Sequence, residues 1–259
     1  GTEIPAEYGR GCGFCVTGNT YEARPATDTA QDVHDQIRFV RTEAPELVLL
    51  VLKDQNPFGY LTELVERLAS EGIGGFTLLL ETRADWFLRS EKRFERALEA
   101  AATAGIRLAP YLVGIESFSQ TELDRFNKGI DAATNVKFLE SVADWERRFP
   151  ASFTLEHASF GFILFSPWST LDDLRANLEG IRRTRFDRFR GSVLLSRARL
   201  YPDTALYWLA KRDGLLAETF RHADEDNSAR YGYFPFHPWR FQQASTEHFA
   251  DLAVEVARR

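Results

Sequence analysis

The chain has 259 residues, 44% apolar and 27% charged, with a net charge of −6. That composition suits a globular protein large enough for one α/β domain or two smaller ones. Acidic residues are mixed with basic ones, which argues against a nucleic-acid partner. The longest apolar runs, 47–52 and 160–165, are far too short to cross a bilayer, and no leader pattern opens the chain. Cys12 and Cys15, the two cysteines, are too close in sequence to staple a domain of this size, so a reducing cytoplasm is expected. The absence of methionine and the opening Gly1 predict a trimmed segment, with residues missing and some motif spacings shortened.

An apolar run at 3–8 predicts the first strand, and the stretch Gly9-Arg10-Gly11-Cys12-Gly13-Phe14-Cys15 follows it. Three- and four-residue spacing of apolar positions predicts a helix over 30–41. Strand 47–52, helix 60–70, strand 75–81, helix 91–104 and strand 107–113 come next, then helix 135–149 and strand 156–165. Helix 171–183, strand 192–197 and helix 203–211 complete a sixfold strand–helix alternation. The strands are continuous apolar runs, as expected of parallel strands covered on both faces. Gly72, Gly105 and Gly214 stand where helix C-caps are expected. From residue 217 the chain becomes polar and then rich in aromatics and prolines, before a last helix over 246–257. The predicted organisation is a strand–helix domain over 1–216 with a C-terminal extension, 217–259, packed on it.

Right-handed crossovers gather the loops after all strands at one face. Cys12 and Cys15 fall there, as do Lys53-Asp54-Gln55-Asn56, Arg83, Asp85, Glu116, Ser166-Pro167-Trp168, Arg197 and Arg199. From its letters alone the Cys-x-x-Cys pair suits iron–sulfur ligation, zinc or a redox dithiol. Zinc lacks two further ligands, since the five histidines show no matching spacing. A thioredoxin-like pair opens a helix, and residues 16–19 do not read as a helix start.

The cysteine stretch, Gly114-Ile115-Glu116-Ser117 with Leu123 and Asn127-Lys128-Gly129, and Gly161–Trp168 with Thr170 and Asp173 together resemble the radical S-adenosylmethionine (SAM) superfamily. The resemblance covers about residues 7–216. It implies a partial (β/α)6 TIM-type barrel and an enzyme that cleaves SAM at a [4Fe–4S] cluster held by a Cys-x3-Cys-x2-Cys motif. One cysteine of that motif is absent. In one alignment Cys12 and Cys15 are its second and third cysteines and Tyr8 takes the first place. In the other, Arg10-Gly11-Cys12 carries the first cysteine and four residues are missing.

By the same resemblance Cys12 and Cys15 are metal ligands. Phe14, Asp54, Asn56, Glu116, Ser117, Ile163, Phe165 and Arg197 border the cofactor, with Glu116 toward the SAM ribose or the substrate, Asp54 or Asn56 toward its amino group, and Arg197 toward its carboxylate. Arg199–Thr204 with Asp213-Gly214-Leu215-Leu216 resembles the end of this region in cobalamin-binding members, which implies transferase-type chemistry such as methylation of a small molecule, with cobalamin bound by a domain absent from this chain. A small-molecule substrate and an electron donor such as a flavodoxin or ferredoxin are the implied partners. The alternative is a degenerate, non-catalytic barrel that binds a small molecule or a protein.

Overall fold

The computed structural model describes residues 8, 11–16, 25–189, 196–221 and 236–257. The first predicted strand, most of the sixth, and the polar and aromatic stretch 222–235 lie outside the described residues. Helix α1 (Ala26–Glu43) leads into strand β1 (Leu49–Leu52), helix α2 (Leu61–Ser70) and strand β2 (Thr77–Leu80). Two helices follow, α3 (Ala84–Arg89) and α4 (Glu91–Thr103), then strands β3 (Arg107–Pro110) and β4 (Val113–Glu116). Helices α5 (Gln120–Arg125) and α6 (Ala132–Arg148), strand β5 (Phe160–Phe162), and helices α7 (Leu171–Thr184), α8 (Ala205–Arg212) and α9 (Ala244–Ala257) complete the order.

The strands run parallel. β1 pairs with β2 and β2 with β3, in the register Leu49↔Thr77↔Arg107. The strand expected at 107–113 breaks at Leu112, whose φ is +48°, and resumes as β4 up to Glu116. Such a backbone costs a branched residue on the order of 1–3 kcal/mol, and it turns the chain from one partner to the next. Before the break the segment pairs with β2. Beyond it, Gly114 bridges Arg83 and β4 pairs with β5, with a register shift between Gly114 and Glu116. A further parallel bridge joins Phe165 to Arg197. Antiparallel bridges Leu200↔His237 and Leu216↔Trp239 bring the later chain back onto this region.

Strands β2 to β5 bury most of their apolar side chains, many against the amphipathic faces of the helices. Strand β1, expected to be covered on both faces, leaves Leu49 and Val51 exposed because among the described residues it is the edge of its sheet. Leu61, Leu64, Val65 and Leu68 of α2 are buried, as are Phe94, Ala97, Leu98 and Ala101 of α4. Phe87, Phe94, Trp145 and Phe153 form a continuous set of tilted and edge-on ring contacts beneath α3, α4 and α6, an arrangement that adds to area burial. Gly72, Gly105 and Gly214 have φ near +65° to +70° just past α2, α4 and α8, as C′ glycines do. A second, smaller core of Phe126, Trp168, Leu200, Leu206, Ala210 and Leu215 lies apart from the first, and Phe14 and Ile163 pack on it. It is the floor under the cysteine loop. Among the described residues no helix is long and apolar enough to cross a membrane.

Candidate functional site

The cysteine loop is held at both ends of a short turn. Cys15 N–H donates to Cys12 O at 3.1 Å, which closes the turn. Gly13 is buried between α5 and α8: its N–H donates to Phe126 O at 2.7 Å, and its carbonyl accepts from Leu206 N–H at 2.9 Å. Asn127 Nδ2 donates to Gly11 O at 2.6 Å. Residues 126–128 thus form the seat of the loop. The chain can take that path because Asn127 and Gly129 adopt φ of +49° and +68°, a conformation that Asn and Gly tolerate best.

Lys128 points inward from this seat. Its ammonium is buried, donates to Glu116 Oε1 at 3.2 Å, and lies 5.9 Å from the centre of the Phe14 ring. Glu116 ends β4 with φ of +63°, and its backbone carbonyl accepts from Ile163 N–H at 2.8 Å. Two glycines make room for its carboxylate. A Cβ on Gly114 would stand 2.2 Å from Glu116 Oε1 and 2.6 Å from Lys128 Nζ; one on Gly161 would stand 3.3 Å from Glu116 Oε2.

Arg83 closes the arrangement from the end of β2. Its Nη1 donates to Cys12 Sγ at 3.3 Å, its Nε to Asp85 Oδ1 at 2.9 Å, and its Nη2 to the Lys128 carbonyl. Asp85 is buried and is also paired with Arg89 at 3.2 Å. Burial pushes the Cys12 thiol up; Lys128 and Arg83 oppose that, while Glu116 and Cys15 add to it. Both cysteines are reduced and half-buried.

The other expected site residues sort differently. Ile163 joins the loop's apolar floor, as Phe14 does. Ser117 is fully buried and donates to Asn177 Oδ1 of α7 at 2.9 Å, so it ties β4 to that helix. Asp54 accepts from Asn56 N–H and from the Tyr60 hydroxyl, both at 2.9 Å, and Asn56 is exposed. No described contact joins either to the cysteine loop. Phe165 is fully buried, and the Arg197 guanidinium lies 5.3–5.6 Å from the ring centres of Phe165, Trp239 and Phe241. Lys128 and Arg83 complete the centre; Arg83 was expected at this face but with no role toward the cofactor, and Lys128 was not expected as a site residue. The letters carried one signal for Lys128, its place in Asn127-Lys128-Gly129.

A three-thiolate iron–sulfur cluster does not fit these residues. The chain has two cysteines. The Tyr8 hydroxyl donates to Asp203 at 3.4 Å and its ring stacks on Trp208. Among the described residues no three Cys, His, Asp or Glu side chains are grouped so as to hold a metal ion.

In fold, the chain is similar to a solved structure of the cobalamin-dependent S-adenosylmethionine radical enzyme OxsB with aqua-cobalamin and S-adenosylmethionine bound. The TM-score is 0.62 at 14% identity, over 95% of this chain and 39% of that one. The same enzyme with aqua-cobalamin alone gives 0.61 at 16% identity, and its apo, selenomethionine-labelled form 0.59 at 17%, with the same coverage. The chain therefore spans about two fifths of the length of these structures. No protein-family model matches it, and no curated protein sequence is significantly similar. At this identity the likeness establishes the fold, an α/β arrangement of parallel strands like that of a radical SAM enzyme.

Proposed function

We propose that this chain is the SAM-binding portion of a radical SAM-type enzyme, folded as a partial barrel whose ligand sits at the C-terminal ends of the strands. One observation carries the reading: the buried Glu116–Lys128 pair, set over Gly114 and Gly161 and beside Cys12 and Phe14, at the strand ends where α/β proteins build their sites. In this reading Glu116 accepts hydrogen bonds from the ribose, and Ile163 and the Gly161–Phe165 backbone border the adenine. Lys128 holds the Glu116 carboxylate in place through the 3.2 Å hydrogen bond from its ammonium. Phe14, with the floor of Phe126, Trp168 and Leu206, excludes water from the ligand.

Cys12 and Cys15 leave a three-thiolate cluster one ligand short, so what falls to this chain's own residues is binding, orientation and exclusion of water. Methylation or a related alkylation of a small molecule is the reaction class we assign, since the similar fold belongs to a cobalamin-dependent enzyme. Anaerobic reconstitution with iron and sulfide tests the enzyme reading. A chain that gains the visible absorption of an iron–sulfur cluster belongs to the enzyme reading despite its two cysteines. A chain that stays colourless yet binds SAM belongs to the second reading, a degenerate barrel that binds a ligand without cleaving it. The specific observation behind that second reading is the Arg83 guanidinium on Cys12 Sγ, a hydrogen-bond donor at the sulfur of one of only two cysteines.

A further inference from the structure

We propose that Arg83 is the positioning residue of the cysteine loop, and that it holds Cys12 as an oriented, cation-matched sulfur. The inference rests on reading this mouth as the binding site, but its observations are its own. Arg83 spends its guanidinium on three different elements: Nη1 on Cys12 Sγ, Nε on Asp85 and Nη2 on the Lys128 carbonyl. The side chain is mostly buried, and its guanidinium carbon lies 5.5 Å from the centre of the Trp86 ring. Asp85, buried and braced from outside by Arg89, fixes the plane of the fork. Planar, oriented donors of this kind are what Arg supplies and Lys does not. The seat built by Phe126, Asn127 and Leu206 sets the loop's backbone; Arg83 reaches past that backbone to the sulfur. It also ties the sulfur to the segment that carries Lys128, so Cys12 and the Glu116–Lys128 pair move as one unit.

Alkylation with two reagents of like size and different charge tests this. The ratio of iodoacetate to iodoacetamide rates at one sulfur and one pH cancels the thiolate fraction and the accessibility, and leaves the local potential. The ratio is read separately at Cys12 and at Cys15 by fragment mass spectrometry. Arg83→Gln should lower it at Cys12 by roughly three- to tenfold, the effect of one nearby charge partly screened by solvent, and leave Cys15 unchanged. Arg83→Lys, which keeps the charge, should retain most of the ratio. An unchanged Cys12 ratio in Arg83→Gln, or an equal fall at both sulfurs, would overturn the proposal. If Arg83→Gln does not fold, Arg83→Met removes the same charge with an apolar side chain beside Trp86. The Cys12 ratio should then fall by a similar factor, and an unchanged ratio overturns the proposal equally. Calorimetry with SAM on the parent chain reads the binding site separately: no SAM binding together with a falling ratio would sink the site reading and leave the role of Arg83 standing.

Discussion

Glu116 and Lys128 form a buried pair of opposite charges, and such pairs are costly to break from one side. Removing the cation in Lys128→Met leaves a buried carboxylate without its partner, for which about 3–5 kcal/mol of lost stability is expected. Chemical denaturation would measure it; a loss below about 1 kcal/mol would mean that water reaches the carboxylate. Gly114→Ala attacks the same pair sterically, because the new methyl would stand 2.2 Å from Glu116 Oε1. Overpacking of this kind costs roughly 1–3 kcal/mol, and it should abolish SAM binding while the far-ultraviolet circular dichroism stays that of the parent. Binding that survives the substitution would show that the carboxylate is free to move aside.

Glu122, on α5, makes a prediction about pH. It is buried, its Oε1 accepts from Arg125, and among the described residues Oε2 has no partner in hydrogen-bond geometry, although Ser166 and Ser169 lie near. Burial raises its pKa above the ordinary glutamate range, with Arg125 and Ser166 opposing. The folded chain therefore holds this proton more tightly than the unfolded one. The stability that comes with it is present below the ordinary glutamate pKa and is lost as pH rises through the folded value. As pH rises from the ordinary glutamate range toward neutrality, the parent should lose more thermal stability than Glu122→Gln. Equal losses in melting experiments would show that Arg125 outweighs burial.

Helix α7 is the element that locks β4 in place. Thr170 and Asp173 form a capping box at its start, Asp173 also accepts from Ser119, and Asn177 accepts from Ser117 and from the Phe118 N–H. Gly180 lets the helix come down onto Phe118, whose Cγ would stand 2.2 Å from an added Cβ. Thr170→Ala should cost about 1 kcal/mol as a lost cap. Gly180→Ala should cost more despite its better helix propensity, because it drives the helix off the ring; a stabilising Gly180→Ala would refute this packing.

The elements were mostly legible in the letters because central parallel strands bury both faces and surface helices bury one, so each leaves its own period; β1 reads as equally apolar although Leu49 and Val51 are exposed. The break at Leu112 left no mark, since an apolar run reads the same whether or not its backbone turns. Helices α3 and α5, each six residues long, are too short to show a period. Ser117 was read with Glu116 because the two are adjacent, yet their side chains part, one to α7 and one to Lys128. The contact of Arg83 with Cys12 spans 71 positions, and nothing local encodes it.

Across the whole molecule, the segment after β2, the end of β4, the turn after α5 and the cysteine loop bring Arg83, Glu116, Lys128 and Cys12 together, and the likeness in fold to a radical SAM enzyme covers 95% of the chain. The second core places an apolar floor beneath the cysteine loop. Calorimetric titration of the chain and of Glu116→Gln with SAM tests this account most directly. The parent should bind SAM, and the variant, with its fold intact, should bind it roughly ten- to a hundredfold more weakly, the loss of a charge-assisted bond of about 1.5–3 kcal/mol. Equal affinity in the two chains, or no binding by the parent, would contradict it.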